Sequence, residues 1–131
     1  MTNAEHAMRV VRALASLPCC TRIEVNSAFT NDVPAGAPGH SRKAKTRFFQ
    51  PDHVPDSLDV PESVVLLHVI ATVGPLDDAT AQAVTAAAET LESRADLQPI
   101  QRCRVAQVDA GIQVAMILID GPVEAMIRPP V

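Results

Sequence analysis

The pattern of hydrophobic and polar positions is organised around Glu62 to Arg94, which reads as a buried strand, a tight turn and a long helix. Val65, Leu67, Val69, Ala71 and Val73 fall to one side of an extended chain. Val64, Leu66, His68, Ile70 and Thr72 fall to the other. Both rows are largely apolar, so the pattern predicts a central strand covered on both faces. Gly74-Pro75 ends it, and Pro75 suits the first turn of a helix because it has no N–H to lose. In that helix Asp77 and Asp78 place negative charge at the positive end of the dipole, and Arg94 answers near the other end. Thr80, Val84, Ala87 and Leu91 recur at helical spacing on an Ala-rich face. Small side chains let such a helix sit close to a sheet or to a neighbouring subunit.

The flanking patterns fill in the order of elements. Thr2 to Leu17 reads as an amphipathic helix with a capping box, Thr2-x-x-Glu5, and an apolar stripe of Ala7, Val10, Val11, Leu14 and Leu17. Pro18 stops it, and His6, Arg9 and Arg12 fall to its wet side. Thr21 to Phe29 alternates, with Ile23, Val25 and Phe29 inward and Arg22, Glu24 and Asn26 outward. A full polar face predicts a half-buried strand near a sheet edge. Ile100 to Val108 and Ile112 to Ile119 read as strands joined by Asp109-Ala110-Gly111, with Gly111 expected to supply a left-handed turn. A tail containing Pro129 and Pro130 follows, expected to be exposed or docked on a partner.

Residues 30–61 break the pattern. Pro34, Pro38, Pro51, Pro55 and Pro61, with Gly36 and Gly39, disfavour a helix or an inner strand. Arg42, Lys43, Lys45 and Arg47 gather in the middle, followed by Phe48 and Phe49, and then the sign reverses through Asp52, Asp56, Asp59 and Glu62. Long irregular segments inside compact domains are either functional or mobile. The segment reads either as a mobile solvated loop or as an extended contact arm, with Lys45 to Phe49 a short strand. Its partner-binding candidates are the cations Arg42, Lys43, Lys45 and Arg47, with Phe48 and Phe49 as apolar anchor.

The 131 residues are enough for one domain with a core. The expectation is a single α+β domain over residues 1–131, in the order α-β-(long arm)-β-α-β-β. Two helices lie against a mixed or antiparallel sheet of four to five strands. Two helices cover one face of such a sheet, so a two-sided apolar strand calls for a neighbour, and self-association is expected.

Composition narrows the chemistry. Hydrophobic residues make up 47% of the chain, more than a disordered segment carries. The net charge of −4 gives no overall pull toward nucleic acid or an anionic membrane. Trp and Tyr are absent and Phe numbers three, which counts against a base-stacking platform. No segment reads as a secretory signal, and no stretch reaches the ~20 apolar residues of a membrane span. Cys19, Cys20 and Cys103 lack a disulfide spacing and read as free thiols of a reducing compartment. Two adjacent cysteines rarely reach one metal together, so no metal site is assigned. His68 is the one imidazole within an apolar strand and reads as a hydrogen-bonded core or interface residue. Asp52-His53 is a local acid–imidazole pair. No phosphate loop, Gly-x-Ser-x-Gly or His-Glu-x-x-His occurs, so no catalytic residue and no cofactor is assigned.

Three stretches carry a family likeness: AEHAMRVVRALASL, LLHVIATVGPLDDATAQAV and VDAGIQVAMILI. In order and texture the chain resembles the tail terminator proteins of long-tailed phages. The resemblance implies a homo-oligomeric ring, a hexamer, that caps a finished tail tube and offers a surface to head-connector proteins. It also implies a place in the virion or the host cytoplasm, and no catalytic residues. The expected function is therefore a non-enzymatic assembly protein. The alternative is a small oligomeric α+β enzyme or ligand-binding module with an anion site in the basic arm. A nucleic-acid-binding arm is a weaker third reading.

Overall fold

The computed structural model describes residues 1–30, 42–62, 64–109 and 111–120. The tail with Pro129 and Pro130, and Pro34, Gly36, Pro38, Gly39 and His40 of the arm, lie outside the described residues. Helix α1 spans Asn3–Ala15. The capping box is present: the Thr2 hydroxyl accepts from the Glu5 N–H at 3.1 Å, and the Glu5 carboxylate accepts from the Thr2 N–H at 3.4 Å. Ala7, Val10, Val11 and Leu14 are fully buried, and Leu17 continues their stripe beyond the helix. Each large side chain among them contributes about 1.5–3 kcal/mol by leaving water.

Five strands follow: β1 (Cys20–Thr30), β2 (Arg42–Phe49), β3 (Leu66–Val73), β4 (Arg102–Val108) and β5 (Gly111–Asp120). They form one sheet in the order β2-β1-β3-β5-β4, every neighbouring pair antiparallel. Helix α2 (Asp78–Glu92) and a short 3-10 turn (Ala95–Leu97) connect β3 to β4. The class is α+β. Helix α1 packs on β1 and β3, and α2 on β4 and β5. The core lies between these helices and one face of the sheet. It holds Ile23 and Val25 of β1, Leu67, Val69, Ala71 and Val73 of β3, and Ile112, Val114 and Met116 of β5.

β1 lies near an edge as expected, second in the sheet between the edge strand β2 and β3. Its polar row faces the side of the sheet that carries no helix, and alternation reports which face is wet rather than which strand is outermost. Other expectations change. The middle of the arm is a full edge strand, longer than the short one expected, with Glu24 opposite Phe48 and Ser27 opposite Lys45. Its downstream part packs along α1: Leu58 is buried, Asn3 N–H donates to Glu62 at 2.8 Å, and Arg12 reaches the Asp56 carbonyl at 3.5 Å. His6 is 5% exposed rather than solvated, with Nε2 2.7 Å from the Leu97 carbonyl.

Helix α2 begins later than Pro75, with Asp77 as N-cap and its carboxylate accepting from Thr80 N–H at 2.7 Å. Its buried residues are Val84, Ala88 and Leu91, so the inward face is turned slightly from the expected one, which had Ala87 in it. Arg94 does not answer the helix dipole. It forks onto Asp96, two residues on, at 3.0 and 2.6 Å.

Gly111 has a different reason from the left-handed turn expected of it. A Cβ there would stand 2.0 Å from the Val73 carbonyl oxygen, so β5 can start beside the end of β3 only without a side chain. The left-handed glycine is Gly74, with φ 135°. Gly111→Ala is therefore expected to cost about 2–3 kcal/mol, read as a lowered urea midpoint with unchanged m. A variant that melts like the parent would contradict this close approach.

Candidate functional site

The expected binding residues sit on β2, and the strand divides them. Consecutive strand residues face opposite ways, so Phe48 and Phe49 cannot form one anchor. Phe49, opposite Ile23, packs against the core from its rim. Phe48, opposite Glu24, lies on the other face and is 57% exposed, with the Arg22 guanidinium 5.2 Å from its ring centre. Lys45 and Arg47, opposite Ser27 and Val25, project to the helix-bearing side. Lys45 pairs with Asp59 at 2.7 Å, which holds that carboxyl below its usual range. Asp52 instead pairs with His53 at 3.0 Å, with both side chains exposed. Arg42 and Lys43 stand opposite Thr30 and Phe29 in the strand ladder, and their side chains lie outside the described residues.

The helix-free face of the sheet is the larger feature. Its rows run Thr46, Asn26, His68, Ile117, Arg102 and Phe48, Glu24, Ile70, Ala115, Arg104. The middle is apolar or half-buried, and charge is confined to the flanks. Thr46 donates to Asn26 at 2.7 Å, Asn26 to Glu24 at 2.7 Å, and Arg102 to Asp120 at 2.6 Å. His68 differs from these: its Nε2 is buried and has no partner among the described residues. Burial pulls its pKa down, Asp120 pulls it up, and Arg102 and Arg104 push it down again.

A third feature was not anticipated. A groove of about 560 Å³ runs between α2 and the outer strand β4, lined by Asp78, Gln82, Glu89, Val105, Gln107 and Ile112 among others. A smaller hollow carries it on to Asp109 at the β4–β5 turn. Asp78 had been given only a role at the helix dipole. The signal present in the sequence is a polar stripe, Asp78, Gln82, Thr85 and Glu89, at helical spacing. The cavity along α1, about 320 Å³, is lined by Arg9 and Arg12. Neither Lys45 nor Arg47 lines any of these hollows.

Cys20 and Cys103 lie on strands three spacings apart in the sheet, about 14 Å by strand geometry. Among the described residues no three His, Cys, Asp or Glu side chains gather to hold a metal. Burial, with Glu92 and Glu89 nearby, pushes the Cys103 thiol up to about 11. No described helix is long and apolar enough to cross a membrane. No family of known proteins, no curated protein and no solved structure matches the chain.

His68 yields a pH prediction. Its folded pKa lies below the unfolded value of 6.5, so the unfolded chain takes up the proton first. This stability is complete above the unfolded pKa and is lost as pH falls toward the folded one. The melting temperature should drop between about pH 7.5 and about pH 5.5, and His68→Leu should remove part of that drop. Identical pH profiles for parent and variant would contradict the assignment.

Proposed function

We propose that the chain is a non-enzymatic assembly subunit that associates with copies of itself, as a ring or connector of the phage tail terminator kind. One observation carries the reading. Among the described residues the sheet has helices on one face only; the other face keeps Leu66, Ile70 and Ala115 half-buried, and Nε2 of His68 is buried there without a partner among those residues. Buried polar atoms are nearly always paired, and apolar sheet faces are nearly always covered. A protein partner on this surface would answer both conditions. The three quoted stretches and the element order give the reading its family. In this reading the ring caps a tail tube and meets head-connector proteins, in the virion or the host cytoplasm.

The ligand-binding alternative draws less support. An anion site needs converging cations in a concave place. The described cations of the arm stand on an exposed edge strand, one of them already paired with Asp59.

Light scattering of the full chain at micromolar concentration is expected to give a mass well above one chain. Ile70→Lys, on the bare face, should lower that mass or block docking to tail-tube protein while leaving the circular dichroism spectrum unchanged. A particle that stays monomeric at every concentration would contradict the reading.

A further inference from the structure

On the helix-bearing side the two edges of the sheet differ in charge. β2 presents Lys45 and Arg47 on the helix-bearing side. β4 presents Cys103, Val105 and Gln107 on that same side, opposite the core residues Met116, Val114 and Ile112. Beside them α2 supplies the acidic wall of the groove, Asp78 and Glu89. Exposed apolar side chains follow the same division. Of the four large ones among the described residues, Phe48 lies on β2, Val105 and Val108 lie on β4, and the fourth is Met1.

We propose that β4 and its acidic groove receive the basic strand β2 of a second copy of this chain, extending the sheet head to tail. This rests on the self-association proposed above and adds an edge contact to the one on the helix-free face. The geometry follows from strand count. Five strands with every neighbour antiparallel leave β2 and β4 running the same way, so the join is a parallel pair. With the helices of both copies on the same side, Arg47 of the incoming strand enters the groove toward Asp78 and Glu89, while Lys45 keeps its pair with Asp59. Phe48 goes to the opposite side, with Thr46, toward the face that carries Arg102 and Arg104. The outward backbone groups of both edges gain partners, and Val105 leaves water.

The symmetric alternatives are disfavoured by charge. Pairing β4 with β4 about a two-fold axis brings two acidic α2 walls together. Pairing β2 with β2 sets Lys45 and Arg47 beside their own copies. Cations on an edge strand are also an ordinary device for keeping sheets apart. Here the device is selective, since what repels a like edge attracts the acidic one. A head-to-tail contact closes into a ring or runs on as a filament, according to the rotation per subunit.

The test is a charge exchange in the full chain, followed by sedimentation, with melting curves to confirm that each variant folds. Arg47→Glu alone and Glu89→Lys alone should each weaken association by about tenfold or more. The two changes combined in one chain should restore it, and the parent's association should weaken as salt rises. If the edge cations only keep copies apart, Arg47→Glu strengthens association, and the proposal falls. Oligomers indifferent to both reversals overturn this contact and leave self-association standing. A double variant as weak as the singles overturns the pairing of these two edges. A parent that is monomeric overturns both the contact and the assembly reading.

Discussion

Every second residue of β3 is sealed from water, and the remaining elements are positioned by that row. Leu67, Val69, Ala71 and Val73 are each 0% exposed. Val69 stands between Val25 and Met116, and Ala71 between Ile23 and Val114. A slip of one residue in either pairing would turn a whole core row onto the bare face, so register is held on both sides of β3 at once. Helix α1 can then cover β1 and β3 with its stripe, and the Ala-rich α2 can settle close over β5 and β4. Gly111 belongs to the same constraint, since β5 begins against the Val73 carbonyl where that row ends.

The same arrangement leaves two kinds of surface without a described partner. One is the helix-free face, with its half-buried aliphatic middle. The other is the pair of sheet edges, which differ because the helices are distributed unevenly. On the helix-bearing side β4 has α2 and its carboxylates beside it, while β2 carries the cations Lys45 and Arg47 there. An antiparallel sheet with an even number of strands would place its ends in opposite directions. Five strands place them in the same direction, which makes repeated head-to-tail addition geometrically simple.

Much of this fold was legible in the chain because its signals are local. The period-two row of β3 and the Thr2–Glu5 capping box depend on residues a few positions apart, and both are present. The element order and the α+β class followed from them. What escaped the sequence is non-local. His6 looked solvated because its partner, the Leu97 carbonyl, comes from 91 positions away. Phe48 and Phe49 looked like a unit, and the strand separates them. Of the arm's carboxylates, Asp59 stands beside a described cation of β2. The acidic groove was least visible, since it depends on α2 crossing back over β4. Asp78 and Glu89 become one wall only after that packing.

The most direct measurement is native-state hydrogen exchange on β2 and β4, in assembled protein and in protein dissociated by dilution. In an edge strand alternate N–H groups point away from the sheet and exchange freely. If the two edges meet, the outward amides of Arg102–Val108 and Arg42–Phe49 become protected together on assembly, while those of β3 stay protected in both states. Outward amides on either strand that exchange equally fast before and after assembly would contradict the account.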